Sequence, residues 1–307
     1  MSEVKLIPYK LEDVTKENIE TMPQGVEMIH APEIWDKANR GKDVVIAIID
    51  TGCDRDHPDL KDRIIDGRNF TTDHGNDLEN YDDNEGHGTH VAGTIAASMN
   101  NNFVVGVAPE AKLLILKALS GDGSGTYEWI INSIKYAIDW QGPNGEKVKV
   151  INMSLGGTED NHKLYKVIKE AVDNNISVVC AAGNSGDGNY HTNEYEYPGS
   201  YNEVIQVGAV NFEGNFTNFA NSNNEVDLVA PGVGILSTYP NNTVTRLTGT
   251  SMAAPHVAGA IALLNNSCKA EFARELSEAE IYGQLIKHTV SLGHNKKFEG
   301  NGLLSLN

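Results

Sequence analysis

An α/β fold, with a mainly parallel central sheet covered by helices on both faces, is predicted by two features of this 307-residue sequence. Short apolar runs alternate with helical patterns, the order expected of parallel strands joined by right-handed crossovers. The runs are rich in Val, Ile and Leu and mostly unalternating, as strands buried on both faces must be.

In order, VVIAII (Val44–Ile49), LLILKAL (Leu113–Leu119), VKVINMSL (Val148–Leu155), SVVCAA (Ser177–Ala182) and EVIQVGAV (Glu203–Val210) read as buried strands. Between them, EWIINSIKYAIDW carries Ile130, Ile134, Ala137 and Ile138 at helical spacing. HKLYKVIKEAVDNN does the same with Leu164, Val167, Ile168 and Ala171. No repeat or low-complexity linker divides the chain, so one domain over residues 21–307 is expected. Residues 1–20 are charged, lie well before the first strand and look appended.

The formal charge of −18, with no lysine or arginine run, argues against nucleic acid as a partner. Cys53, Cys180 and Cys268 are odd in number and far apart, which argues against a disulfide framework and fits a reducing compartment. The N-terminus has no apolar stretch of signal-peptide length, and no later run could span a bilayer. A cytoplasmic protein with no membrane partner is expected.

In a parallel α/β sheet, ligands bind beyond the carboxyl ends of the strands. Asp50, in AIIDTGCDRDHPDL, stands at such an end. A buried carboxylate there must be paired; capping the following turn is the alternative. His87 opens a small-residue segment, EGHGTHVAGTIAAS, with His90 three residues on. A metal pair is conceivable on one helix face, but no third ligand or HExxH pattern accompanies it, so His90 reads as a packed core histidine. Asn184, in CAAGNSGDG, follows a buried strand and is either a left-handed loop residue or a donor to an oxyanion. Cys180 falls inside the strand run and behaves as a buried apolar residue. Ser251, in LTGTSMAAPHVAGA, stands at a helix start, where a serine ordinarily caps orphan N–H groups. A base and an orienting acid elsewhere would make it a nucleophile instead.

DTGCDRDHPDL, GHGTHVAGT, MSLGG, AAGN and GTSMAAPHVAGA occur in the order found in the subtilisin-like serine proteases, which the chain resembles from about Pro23 to its C-terminal region. The resemblance implies the three-layer fold of that family, a triad of Asp50, His87 and Ser251, and Asn184 as the oxyanion donor. In such a triad His87 takes the Ser251 proton and later protonates the leaving amine, while Asp50 holds the imidazole tautomer. The reaction implied is endopeptidase hydrolysis of peptide and protein substrates through an acyl-enzyme.

By the same resemblance, an extended substrate lies between two edges, Gly123, Ser124 and Gly125 on one side and Ser154, Leu155 and Gly156 on the other. The pocket for the residue before the scissile bond is walled by Ser154–Gly156 and by Ala182 and Gly183. Glu196 comes to its floor, where the family often has a small residue. Calcium is the implied cofactor, held by Asp59, Asn100 and the carbonyls of Ser98, Asn102 and Val104. A second site for Na+ or Ca2+ is implied at Asp227 with the carbonyls of Gly199, Tyr201 and Val204. The carboxylate run DLENYDDNEG (Asp77–Gly86) is either a further calcium loop or a solvated acidic loop.

The front end is similar to that of the intracellular subtilisins of Bacillus-type bacteria. The resemblance makes LIPYK, with Leu6, Ile7, Pro8 and Tyr9, an inhibitory segment over the cleft; the polar stretch between Leu11 and Thr21 is the expected place of activating cleavage. A loose tail is the alternative. Implied partners are the substrate proteins, the chain's own extension and a second copy as a homodimer. A catalytically silent peptide-binding protein on the same fold is the alternative function; all four catalytic positions being intact stands against it. A small-ester hydrolase would carry a G-x-S-x-G elbow, which is absent.

Overall fold

The strand Val45–Asp50 divides its side chains between two cores: Ile46 and Ile48 face one, Val45, Ala47 and Ile49 the other. Its neighbour does likewise, with Leu113 and Ile115 on the first face and Leu114 and Leu116 on the second. This period-two division is why the runs are apolar throughout. In the computed structural model, which describes residues 3–12, 14–15 and 21–307, both faces are covered by helices. His87–Ala96 and Thr250–Phe272 pack on the first face, Tyr127–Asp139 and His162–Asp173 on the second.

The nine-stranded sheet runs Thr289–Val290, Leu303–Leu304, Val226–Pro231, Ile205–Val210, Ser177–Ala181, Val148–Met153, Val45–Asp50, Lys112–Lys117, Ile64–Asn69. Only the Thr289–Val290 edge pairs antiparallel. All five expected strands are present, with ends within two residues of the reading. Four members escaped it. Ile64–Asn69 is a half-buried edge with a polar second half, and Val226–Pro231 is interrupted by Asp227 and ends on a proline. The other two are two residues long. Among the described residues no helix is long and apolar enough to cross a membrane.

At the front, residues 3–11 are laid against the domain as two short strands. Glu3–Leu6 is the central strand of a three-stranded antiparallel sheet, between Ser124–Thr126 and Leu155–Gly156. Lys10–Leu11 then adds antiparallel to the edge of the hairpin Ile235–Tyr239/Thr243–Thr248. Val4 and Ile7 are buried as fully as any core residue. Unpaired N–H and C=O groups along both cleft edges make such strand addition favourable. The expected activation segment between Leu11 and Thr21 falls partly on residues 13 and 16–20, outside the described residues.

Candidate active site

Asp50 ends a strand, and His87 and Ser251 stand in the first turns of two helices that pack together on the same face of the sheet. His87 Nδ1 lies 2.8 Å from Asp50 Oδ1, and the Thr51 N–H donates to the same oxygen at 2.8 Å. Both side chains are buried. Burial lowers the His87 pKa, but the charge and hydrogen bond of Asp50, with the charges of Glu85 and Asp83, outweigh it and hold the pKa above 6.5. Among the described residues His87 Nε2 has no hydrogen-bond partner, and the Ser251 hydroxyl donates to the Ser154 carbonyl at 3.3 Å.

Pro255, four residues after Ser251, lacks the N–H that would otherwise bond the Ser251 carbonyl. The Ser154 hydroxyl supplies that bond instead, at 3.0 Å. Ser154 and Ser251 are thereby tied in both directions, and the proline inside the helix is the sequence signal for the tie.

Asn184 follows Gly183, whose φ of +114° only glycine adopts easily. The left-handed residue here is Gly183, so Asn184 is not a left-handed loop asparagine. Its Oδ1 accepts from the Thr250 N–H (3.0 Å) and hydroxyl (2.9 Å), which turns its NH2 outward. That NH2 donates to the carbonyl of Pro8 at 2.7 Å. Thr250 was missed in the sequence because nothing local links it to a residue 66 positions earlier.

The two cleft edges flank the chain's own N-terminal strand. Val4 pairs with Gly125, Lys5 with Ser124 and Gly156, and Leu6 with Leu155. The Leu6 N–H donates to the Gly123 carbonyl at 2.8 Å. Ile7 enters the expected side-chain pocket: a Cβ on Gly156 would sit 3.6 Å from Ile7 and 2.8 Å from Glu196. A Cβ on Gly183 would also meet Glu196, at 2.8 Å, so Glu196 does lie between the pocket walls. Its Oε1 accepts from the Ser185 hydroxyl at 2.8 Å. Ala182 is pinned by its N–H on the Val207 carbonyl and its own carbonyl on the Asn221 amide. Beyond Pro8, the Tyr9 ring lies 5.1 Å from that of His87 and its hydroxyl donates to Glu85 Oε1 at 2.6 Å.

Asp59 is buried; one carboxylate oxygen accepts from the Val104 N–H at 3.0 Å and the other, Oδ1, has no partner among the described residues. Burial raises its pKa, and an orphaned carboxylate oxygen of this kind fits a hard cation. The Ser98 N–H donates to the Asp59 carbonyl and the Asn102 N–H to Asn100 Oδ1, which shapes the loop around it. At Asp227 the donor set differs. Its oxygens accept from the Tyr282 hydroxyl (2.7 Å) and the Gln206 N–H (2.8 Å), and the Tyr201 carbonyl accepts from the Val204 N–H. Burial raises the Asp227 pKa to about 6.

The remaining candidates are structural. His90 is buried with Nε2 on the Ile235 carbonyl at 2.9 Å, and burial lowers its pKa to about 3. Cys180 is buried in its strand, which raises its pKa. In the acidic run, Asp82 pairs with Arg55, while Asp83 accepts from Thr51, Thr89, Glu85 and Gly86. Among the described residues no group of three His, Cys, Asp or Glu side chains could hold a metal ion.

With this geometry in view, the likeness to known proteins is extensive. The chain is 56% identical over 303 residues to the "Intracellular serine protease" of Paenibacillus polymyxa, covering 99% of this chain and 90% of that one. It is 52% identical to the "Major intracellular serine protease" of Bacillus subtilis, covering 99% and 93%, and 40% identical to subtilisin E, covering 98% and 74%. The Peptidase S8 pattern of the subtilase family matches residues 41–303, and the chain belongs to that family of serine peptidases.

Proposed function

We propose that this chain is an intracellular serine endopeptidase held inactive by its own residues 1–20. The observation that supports this reading is the Asn184 amide donating to a peptide carbonyl, that of Pro8, while the Tyr9 ring of the next residue lies against His87, which is itself paired with Asp50. In a substrate, Ser251 Oγ attacks the scissile carbonyl and its proton passes to His87 Nε2. Asp50 holds the imidazole with Nδ1–H toward itself and stabilises the cation. The Asn184 NH2 and the Ser251 N–H hold the oxyanion. His87 then protonates the leaving amine, and water repeats the sequence on the acyl-enzyme.

The extension follows the path of a substrate but presents the wrong residue. Ile7 fills the side-chain pocket while the carbonyl at Asn184 belongs to Pro8, one residue later. A substrate must present both from one residue, and a displacement of ~1 Å already costs near-attack geometry. Asp59, Ser98, Asn100, Asn102 and Val104 would hold calcium, which would tie the loop after the His87 helix to the Asp59 turn. A Na+ or Ca2+ at Asp227 with Gly199, Tyr201 and Val204 would meet an Asp227 whose two oxygens already accept hydrogen bonds, with the buried Gln206 Oε1 nearby left without a partner among the described residues. The names of the relatives and the reduced cysteines support a cytoplasmic location.

A fluorophosphonate probe tests the assignment. The activated chain should be labelled at Ser251, and Ser251→Ala should lose labelling and peptide hydrolysis while keeping its melting curve. No labelling of an active-length chain would favour the silent peptide-binding alternative.

A further inference from the structure

The carboxylate of Glu85 stands on the leaving-group side and is not itself one of the proposed triad residues. One oxygen accepts the His87 N–H at 2.8 Å, and the other accepts the Tyr9 hydroxyl at 2.6 Å. Tyr9 lies on the leaving-group side; counted from the carbonyl held by Asn184, rather than from Ile7 in the pocket, it takes the place of the first residue of the departing peptide. Glu85 is fixed there. Its backbone carbonyl accepts from the Tyr239 hydroxyl, and the Tyr239 ring closes against Gly86 so tightly that no Cβ fits. Among the described residues no lysine or arginine pairs with it, so its charge faces the incoming chain. We propose that Glu85 determines specificity at the first residue after the scissile bond, favouring a hydrogen-bond donor, above all lysine, arginine or tyrosine, and rejecting acidic residues.

The chemistry follows from the carboxylate inventory: an ionised Glu only accepts. A hydroxyl, ammonium or guanidinium at this position meets the free oxygen, whereas a substrate carboxylate meets a like charge. Tyr9 behaves as such a donor, since burial and then Glu85 raise its pKa and keep its hydroxyl protonated. Phenylalanine would keep the stacking on His87 and lose only the bond. The inference rests on the endopeptidase reading and names the substrate class of that site.

The test uses the full chain allowed to activate itself, its mass confirmed, with four quenched peptides. These share the acyl side and differ only in the first leaving residue, Lys, Tyr, Phe or Glu; fragment masses establish the cut. Ratios of kcat/KM within one protein are independent of its folded fraction. Charge-assisted pairing of this kind predicts Lys over Glu by roughly tenfold or more and Tyr over Phe by about threefold. In Glu85→Gln the Lys-to-Glu ratio should fall to about twofold or less, and Glu85→Asp should restore part of it. Hydrolysis with equal Lys and Glu rates in the wild type, or an unchanged ratio in Glu85→Gln, would overturn the proposal and leave the protease reading standing. Failure to cut any of the peptides, or any denatured protein, would overturn both.

Discussion

The Asn184 amide donates to the carbonyl of Pro8 across 2.7 Å, although the residue filling the neighbouring pocket is Ile7. In the proposed mechanism that offset places a carbonyl at the oxyanion donor without the side-chain register a substrate needs. Asn184→Ala should lower kcat by roughly 10²–10³, the range known for loss of one such donor in a subtilisin, with KM little changed. Thr250→Val removes only one of two orienting bonds and should cost less, about tenfold. Steady-state kinetics on the activated proteins decide; a changed KM with intact kcat would assign Asn184 to binding alone.

Removing residues 1–20 should activate the chain. The tether gives the extension an effective concentration of roughly millimolar, so weak intrinsic binding suffices for restraint. Pro8→Ala should restore an N–H and a flexible φ, turn the segment into a substrate and shorten the activation lag. Initial rates of full-length and trimmed protein, with masses checked, give the answer; equal rates would return the segment to the status of a tail.

Chelation should lower the melting temperature and speed self-digestion, because Asp59 Oδ1 is buried without a partner. A cation bound only by the native state stabilises it by about 2.7 kcal/mol at a hundredfold excess over its dissociation constant. Asp59→Asn should abolish the response to calcium. Identical melting curves with and without EDTA would remove the site.

Glu196 should tilt the pocket toward Arg or Lys before the scissile bond, since it stands between Gly156 and Gly183 with one oxygen on Ser185. A basic side chain would neutralise a carboxylate that is partly desolvated there. Matched Arg and Phe substrates should differ in their ratio between the wild type and Glu196→Ala; the same ratio in both would discard the idea.

The acid limb of kcat/KM should have its midpoint above 6.5, because Asp50, Glu85 and Asp83 together raise the His87 pKa against the lowering effect of burial. With the neutral imidazole as the proposed base, activity should rise as pH climbs through that value. Release of the extension uncovers the ring and removes part of the lowering influence. A midpoint below 6.5 would point to a different group.

The sheet strands were legible because burial on both faces leaves a local mark, an unbroken apolar run such as Val44–Ile49. The candidate positions Asp50, His87, Asn184 and Ser251 are marked by short motifs with particular neighbours: a glycine before Asn184, a small-residue helix after Ser251. The tertiary structure alone decided the register. Asn184 meets Pro8 across 176 residues of chain, Tyr9 meets Glu85 across 76, and Thr250 turns the Asn184 amide from 66 positions away. No periodicity encodes which carbonyl reaches a donor, because that depends on how two packed edges and a hairpin place a strand to within an ångström.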